Sequence, residues 1–207
     1  MTGRHGSLYQ DYDEQSPWFF NLRSIVLERV GRWDEAVAQL AAASILQENH
    51  SSNVSQVINL GELYCALERP NDALTAIGRV GSTSAYGGME MESVRLGAAF
   101  QLGDSKQVAR SLEYLSINRM YAPATYENAL IVVDQPDRAA QALIVRLLDE
   151  AQRQKALLSV QTYAPKPMTS LEMVWHSRWR AVIARRDVQA AIQKVGRVAS
   201  YNLEDDL

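Results

Sequence analysis

The sequence predicts an all-α protein made of stacked pairs of amphipathic helices and closed at its carboxyl end by a helical hairpin. Three observations carry this. Glycine or proline punctuation recurs between helix-length stretches whose apolar residues follow helical spacing. The turn Gly31-Arg32-Trp33-Asp34-Glu35-Ala36 returns in degraded copies further along the chain, as expected of a helical array. No alternating runs rich in Val, Ile and Thr are bounded by Asn-Gly or Asp-Gly turns, so no substantial sheet is expected.

In the first copy Phe20, Leu27, Trp33, Ala36, Leu40 and Ala43 take the apolar positions, and Gly31 stands where the first helix must end and the chain must turn. Small Ala36 lets two helices approach closely. The second copy places Leu60-Gly61 and Tyr64 on its first helix and Ala73, Ile77 and Val80 on its second, 37 residues after their counterparts. Glu68 stands in for the turn glycine, and Pro70 opens the second helix, where its missing N–H costs nothing. The third copy reads Leu96-Gly97, Phe100 and Gly103-Asp104, then Val108, Leu112 and Leu115. Its first helix is expected to be one residue short, and Gly81 to Gly88 to be a flexible loop before it.

Pro136-Asp137-Arg138-Ala139 with Leu143 and Leu147 marks a fourth pair whose first helix carries Tyr126, Leu130 and Val133. An extra helix from about Asp149 to Gln161 is stopped by Ala164-Pro165-Lys166-Pro167. The final pair runs from about Thr169 to Arg185 and from Val188 to Val195, with Asp187 as N-cap and Gly196 as the stop. Asp134, Asp137, Asp149 and Glu150 are read as helix-start carboxylates favoured by the macrodipole.

This pattern of an aromatic, a Leu-Gly pair, an aromatic after the turn and a small residue in the second helix resembles the tetratricopeptide repeat; Arg23 and Ser24 depart from it in the first copy. The resemblance covers about residues 17 to 150. It implies an α–α superhelix, a solenoid of antiparallel helix pairs whose first helices line a concave groove. The predicted organisation is an arm or short helix over 1–16, repeats over 17–167, and capping helices with an acidic tail over 168–207. A branch of that family clamps the terminal carboxylate of chaperone peptides with lysines and asparagines. Asn59 matches one such position and Arg95 approaches another, but Asn21 and Ile25 stand where Lys and Asn are expected, so the clamp is incomplete. Arg185 to Ala191 is locally similar to the last helix of glutathione transferases, over too short a span to carry an activity.

Hydrophobic residues at 47% with charged residues at 22% give an ordinary globular balance. The apolar segments are far short of a bilayer span. No charged stretch leads into an apolar one at the amino end, which favours the cytoplasm; the periplasm or secretion is the alternative if a leader has been removed. A single cysteine rules out an internal disulfide, and Cys65 reads as a buried helix residue. His5, His50 and His176 share no metal-binding spacing. Nucleophile elbows, phosphate loops and dinucleotide glycines are absent, so no enzyme activity and no cofactor are expected.

The hairpin from His176 to Arg197 is basic, carrying Arg178, Arg180, Arg185, Arg186, Lys194 and Arg197 against Asp187, within a chain of net charge −3. It is read as a solvated cap onto which Glu204-Asp205-Asp206 can fold. Trp175 and Trp179, one turn apart, are expected to lock that cap on, buried against the extra helix while the arginines point outward. The leading functional reading is a protein-interaction scaffold that holds a peptide or helix of another protein through Asn21, Ser24, Glu28, Asn59, Glu62, Arg95 and Asn128. The alternative is a regulatory or ligand-sensing domain whose basic hairpin touches nucleic acid or drives oligomerisation. Nucleic acid is not the expected partner, and homo-oligomerisation is left open.

Overall fold

The computed structural model describes residues 12–48 and 51–202. Among them are eleven helices: α1 (Tyr12–Arg29), α2 (Trp33–Ser44), α3 (Val54–Ala66), α4 (Pro70–Ile77), α5 (Ala85–Gln101), α6 (Ser105–Ile117), α7 (Pro123–Val132), α8 (Pro136–Leu148), α9 (Arg153–Ser159), α10 (Ser170–Ile183) and α11 (Arg186–Val195). The protein is all-α apart from a pair of two-residue strands, β1 (Gln47–Glu48) and β2 (Ser51–Ser52), joined antiparallel between α2 and α3.

The first eight helices form four pairs with the same turn. Gly31, Glu68, Gly103 and Asp134 all have positive φ, between 56° and 73°. In each turn the residue that follows donates its N–H to a carbonyl in the last turn of the preceding helix: Arg32 to Leu27, Arg69 to Tyr64, Asp104 to Ala99 and Gln135 to Leu130. This is the Schellman closure, which satisfies helix-end carbonyls and needs one left-handed residue. Glycine adopts that conformation at no steric cost; Glu68 and Asp134 are held there by the bonds on either side. Every second helix then starts two residues after the left-handed one.

That register aligns the core. Ala36, Ala73 and Ala139 are fully buried at the same place in their turns, and Leu40, Ile77, Leu112 and Leu143 follow four residues on, all buried. Consecutive helices pack on one another, and α3, α5 and α7 also pack side by side. Gly61 shows why the Leu-Gly position matters: a Cβ there would lie 2.9 Å from Val94 Cγ1 and 3.1 Å from Ile77 Cγ2, so only glycine lets α3 approach α5 and α4 this closely.

Several boundaries differ from expectation. Helix α1 begins at Tyr12 and so takes in the described part of the anticipated 1–16 arm; Pro17 lies inside it. The third pair's first helix is seventeen residues long, not short, because the Ser84 side chain caps Gly87 N–H and draws Gly87 and Gly88, read as loop, into its first turn. The extra helix shrinks to Arg153–Ser159, since Asp149 ends α8 in extended conformation and caps Gln152 N–H instead of continuing. Thr169 and Glu172 form a reciprocal capping box that starts α10. Arg185, not Asp187, is the N-cap of α11; Asp187 sits in its first turn and binds Arg185. Asp134 likewise is not a helix-start residue but the left-handed turn residue before α8.

Helix α10 packs on α7 and α8, α11 packs on α8, and α10 also reaches α3. The segment leading into α10 crosses to the first pair, where Pro167 Cβ lies 3.7 Å from the position of a Gly31 Cβ. The cap therefore spans the stack and touches its beginning.

Candidate functional site

Helices α3, α5 and α7 lie side by side and α1 is joined to α3 through Asn59 and Asn21, forming one wall of odd-numbered helices whose carboxylates are its main chemical feature. Glu28 on α1 and Glu90 on α5 both lie within electrostatic reach of Glu62 on α3. Solvent reaches Glu62, yet the surrounding wall displaces much of its hydration, and Glu90 and Glu28 add negative charge, so its carboxyl is pushed up to about 7. Glu28 is raised chiefly by burial, eased by the Ser24 hydroxyl that donates to it at 2.9 Å, raised further by Glu172 of α10 and eased by Lys166. Tyr86 at the start of α5 is raised by partial burial and by its neighbour Glu90. Thr125 of α7 donates to Glu90 at 2.5 Å, tying the fourth odd helix into the row.

The sequence-predicted residues divide on this wall. Glu62 and Asn128 are exposed, whereas Glu28, Asn59 and Arg95 are half-buried. Asn59 donates to Asn21 Oδ1 at 2.9 Å, a side-chain bridge between α3 and α1. Asn21 and Ser24 are buried and do not open to solvent, which corrects their reading as groove residues. Ser24 Oγ donates to Ala36 O at 3.1 Å; a small hydroxyl is what the close α1–α2 approach admits there. Arg95 is paired with Glu92, which also accepts from Ser111 and Gln107, so its charge is neutralised locally.

The basic hairpin is tied down more than expected. Arg178 turns inward, donating to the carbonyls of Ile131 and Val132 at the end of α7 and pairing with Asp134. A helix C-terminus attracts a guanidinium in this way. Arg185 binds Asp137 at 2.6 Å, and Arg180 donates to Thr162 Oγ1. Trp175 and Trp179 are half-buried against the core rather than enclosed, and Trp179 Nε1 donates to Ser159 O of α9. The tail Glu204-Asp205-Asp206, with His5 and His50, lies outside the described residues.

Cys65 is buried, its Sγ donates weakly to Val94 O, and burial followed by Glu62's charge pushes the thiol up to about 12, so it is a packed side chain and a poor nucleophile at neutral pH. Among the described residues no cluster of three or more His, Cys, Asp or Glu could hold a metal ion, and no helix is long and apolar enough to cross a membrane.

Sequence reasoning missed Glu90, Tyr86 and a buried ion pair, Glu127 with Arg146. Tyr86 was hidden by reading Gly81 to Gly88 as loop, and Glu90 lies two residues beyond that stretch. The pair becomes visible only once the four turns are aligned, because Arg146 then falls where Ala43, Val80 and Leu115 stand in the other pairs, and Glu127 where Ser24, Gly61 and Leu96 stand. Comparison with protein-family models, with curated proteins and with solved structures returned no match.

Proposed function

We propose that this chain is a tetratricopeptide-like superhelical scaffold, without catalytic activity, that holds a basic peptide or helix of another protein against the wall of its odd-numbered helices. The observation that carries the reading is the carboxylate row Glu28, Glu62 and Glu90, one from each of three successive odd helices. Glu62 is raised first by lost hydration and then by the charges of Glu90 and Glu28, and lysines or arginines of a partner docking there would offset both. Side chains on neighbouring, rigidly packed helices read an extended chain at spaced points, which is how helical arrays recognise peptides.

The test is fluorescence anisotropy of a labelled lysine-rich amphipathic peptide and an acidic control against the full chain. The basic peptide binds and the acidic one does not. Glu62→Lys weakens binding about tenfold or more, the effect of reversing one charge in a partly desolvated pair, with an unchanged helical spectrum. Equal affinity of the native protein and Glu62→Lys, or equal binding of both peptides, sinks the proposal.

A further inference from the structure

A cavity of about 810 Å³ opens between α7, α8 and the turn after α6, away from the acidic wall. Its mouth is flanked by Ile117, Met120 and Val145, which are 68%, 76% and 62% exposed, and Tyr126 and Ala142 line it further in. An apolar rim of this size is where ligands are usually found. Arg146, only 5% exposed, is among the residues that line it.

Arg146 is under-used where it lies. Its Nη1 donates to Glu127 Oε1 at 2.8 Å, while its Nε and the second Glu127 oxygen are buried without a partner. A half-satisfied buried ion pair contributes little to stability compared with the apolar Ala43, Val80 and Leu115 that the other helix pairs place where Arg146 stands. Burial outweighs the Arg146 charge and pushes the Glu127 carboxyl up to about 7. The other charged lining residues balance one another, Arg119 and Arg138 against Asp137 and Asp149, and Asp137 is further paired with Arg185, so they do not cancel this cation.

We propose that this cavity binds a monocarboxylate with an apolar chain, its carboxylate on the unused edge of Arg146 and its chain along Ile117, Met120 and Val145. An arginine edge matches the two oxygens of a carboxylate, and desolvation by the surrounding core strengthens the contact. The proposal is independent of the acidic wall.

Decanoate, with decanol as the uncharged comparison, is titrated into the full chain by calorimetry. Saturable decanoate binding is expected, at least tenfold tighter than decanol. The double variant Arg146→Met with Glu127→Leu removes both charges together, so its fold is expected to survive, and it brings decanoate down to the affinity of decanol. If that variant fails to fold, Arg146→Lys keeps the charge, loses the planar fork and weakens decanoate about tenfold. Glu127→Gln retains the arginine, removes the competing carboxylate and leaves decanoate binding equal or tighter. No saturable binding to the native protein, no preference over decanol, or undiminished decanoate binding in the folded double variant or in Arg146→Lys overturns the assignment.

Discussion

At the carboxyl end of the stack the last apolar face, on α8, is covered by α10 and α11, whereas at the amino end α1 carries Phe19, Leu22 and Val26, with Val30 just past its end, each more than half exposed. The cap places Val182 and Val188 at 0% exposure in the same core as Leu143 and Leu147; nothing comparable covers the outer stripe of α1 among the described residues. A stack of helix pairs needs its ends finished. Here the finish at one end is built from the chain's own helices and is continuous with the largest core, so the two ends are expected to respond very differently to the same chemical insult.

The largest effect is expected from removing residues 168–202. This strips the cover from α8 and α7 and deprives the Ile131 and Val132 carbonyls of Arg178. The product should aggregate or lose cooperative urea unfolding; a truncated chain that stays monodisperse with an unchanged midpoint would mean that the hairpin is an appendage and not a cap. Next, Val188→Asp places a carboxylate in a fully enclosed apolar site and should cost more than about 3 kcal/mol, measured by urea denaturation.

Between the ends, Ala36→Leu and Ala73→Leu each put bulk where paired helices touch, both positions being fully buried, and overpacking of this kind costs about 1–3 kcal/mol. Unchanged midpoints for both would break the common register of the first two pairs.

A smaller effect is set by pH. Glu62 and Glu127 both sit near 7 in the folded protein, above the ordinary carboxylate value of 4.5. The folded state therefore holds more protons than the unfolded state between those limits, and stability falls as pH rises through the window. Below it both groups are protonated in either state and the penalty vanishes; above about 7 it is complete. Relative to the native protein, Glu62→Gln should thus gain stability on going from the acid edge of the window to its upper edge, and an identical difference at the two pH values would contradict a raised Glu62 carboxyl. The smallest effect belongs to the bare stripe: Phe19→Asp and Val26→Asp, which give up little buried surface, should move stability by no more than about 0.5 kcal/mol. A large loss at either position would show that the stripe of α1 is covered in solution.

Much of the helical layout was legible because its punctuation is local. Gly31 and Gly103 mark left-handed turns, and Pro70 and Pro136 start the helices that follow. Thr169 marks the start of α10 for the same reason, its hydroxyl accepting from Glu172 N–H only three residues on. Glu68 was less transparent, since a glutamate has no local preference for the left-handed region and holds it only because the Arg69 N–H reaches Tyr64 O. Gly87 and Gly88 misled for the opposite reason: glycine's low helix propensity suggests a loop, but the Ser84 cap and the packing of the rest of α5 override it. The wall was only half visible. Spacing placed Glu28 and Glu62 on odd helices, but could not show that Glu90 and Glu172 converge on them, nor that Asn21 and Ser24 turn inward, because those facts depend on how separate helices approach.

The approach of Pro167 to Gly31, and of α10 to α3, changes how this chain must assemble. An array held only by neighbour-to-neighbour interfaces can begin folding anywhere and spread outward. Here residues more than a hundred positions apart must meet, and closing so long a loop is entropically costly before the crossing returns any stabilisation. The crossing is thus expected to form late, after the helix pairs on either side of it are in place, and to detach first when the protein opens from its native state. Amide protons along residues 160–169 should then exchange with solvent through a smaller opening than those in the middle of α7 and α8.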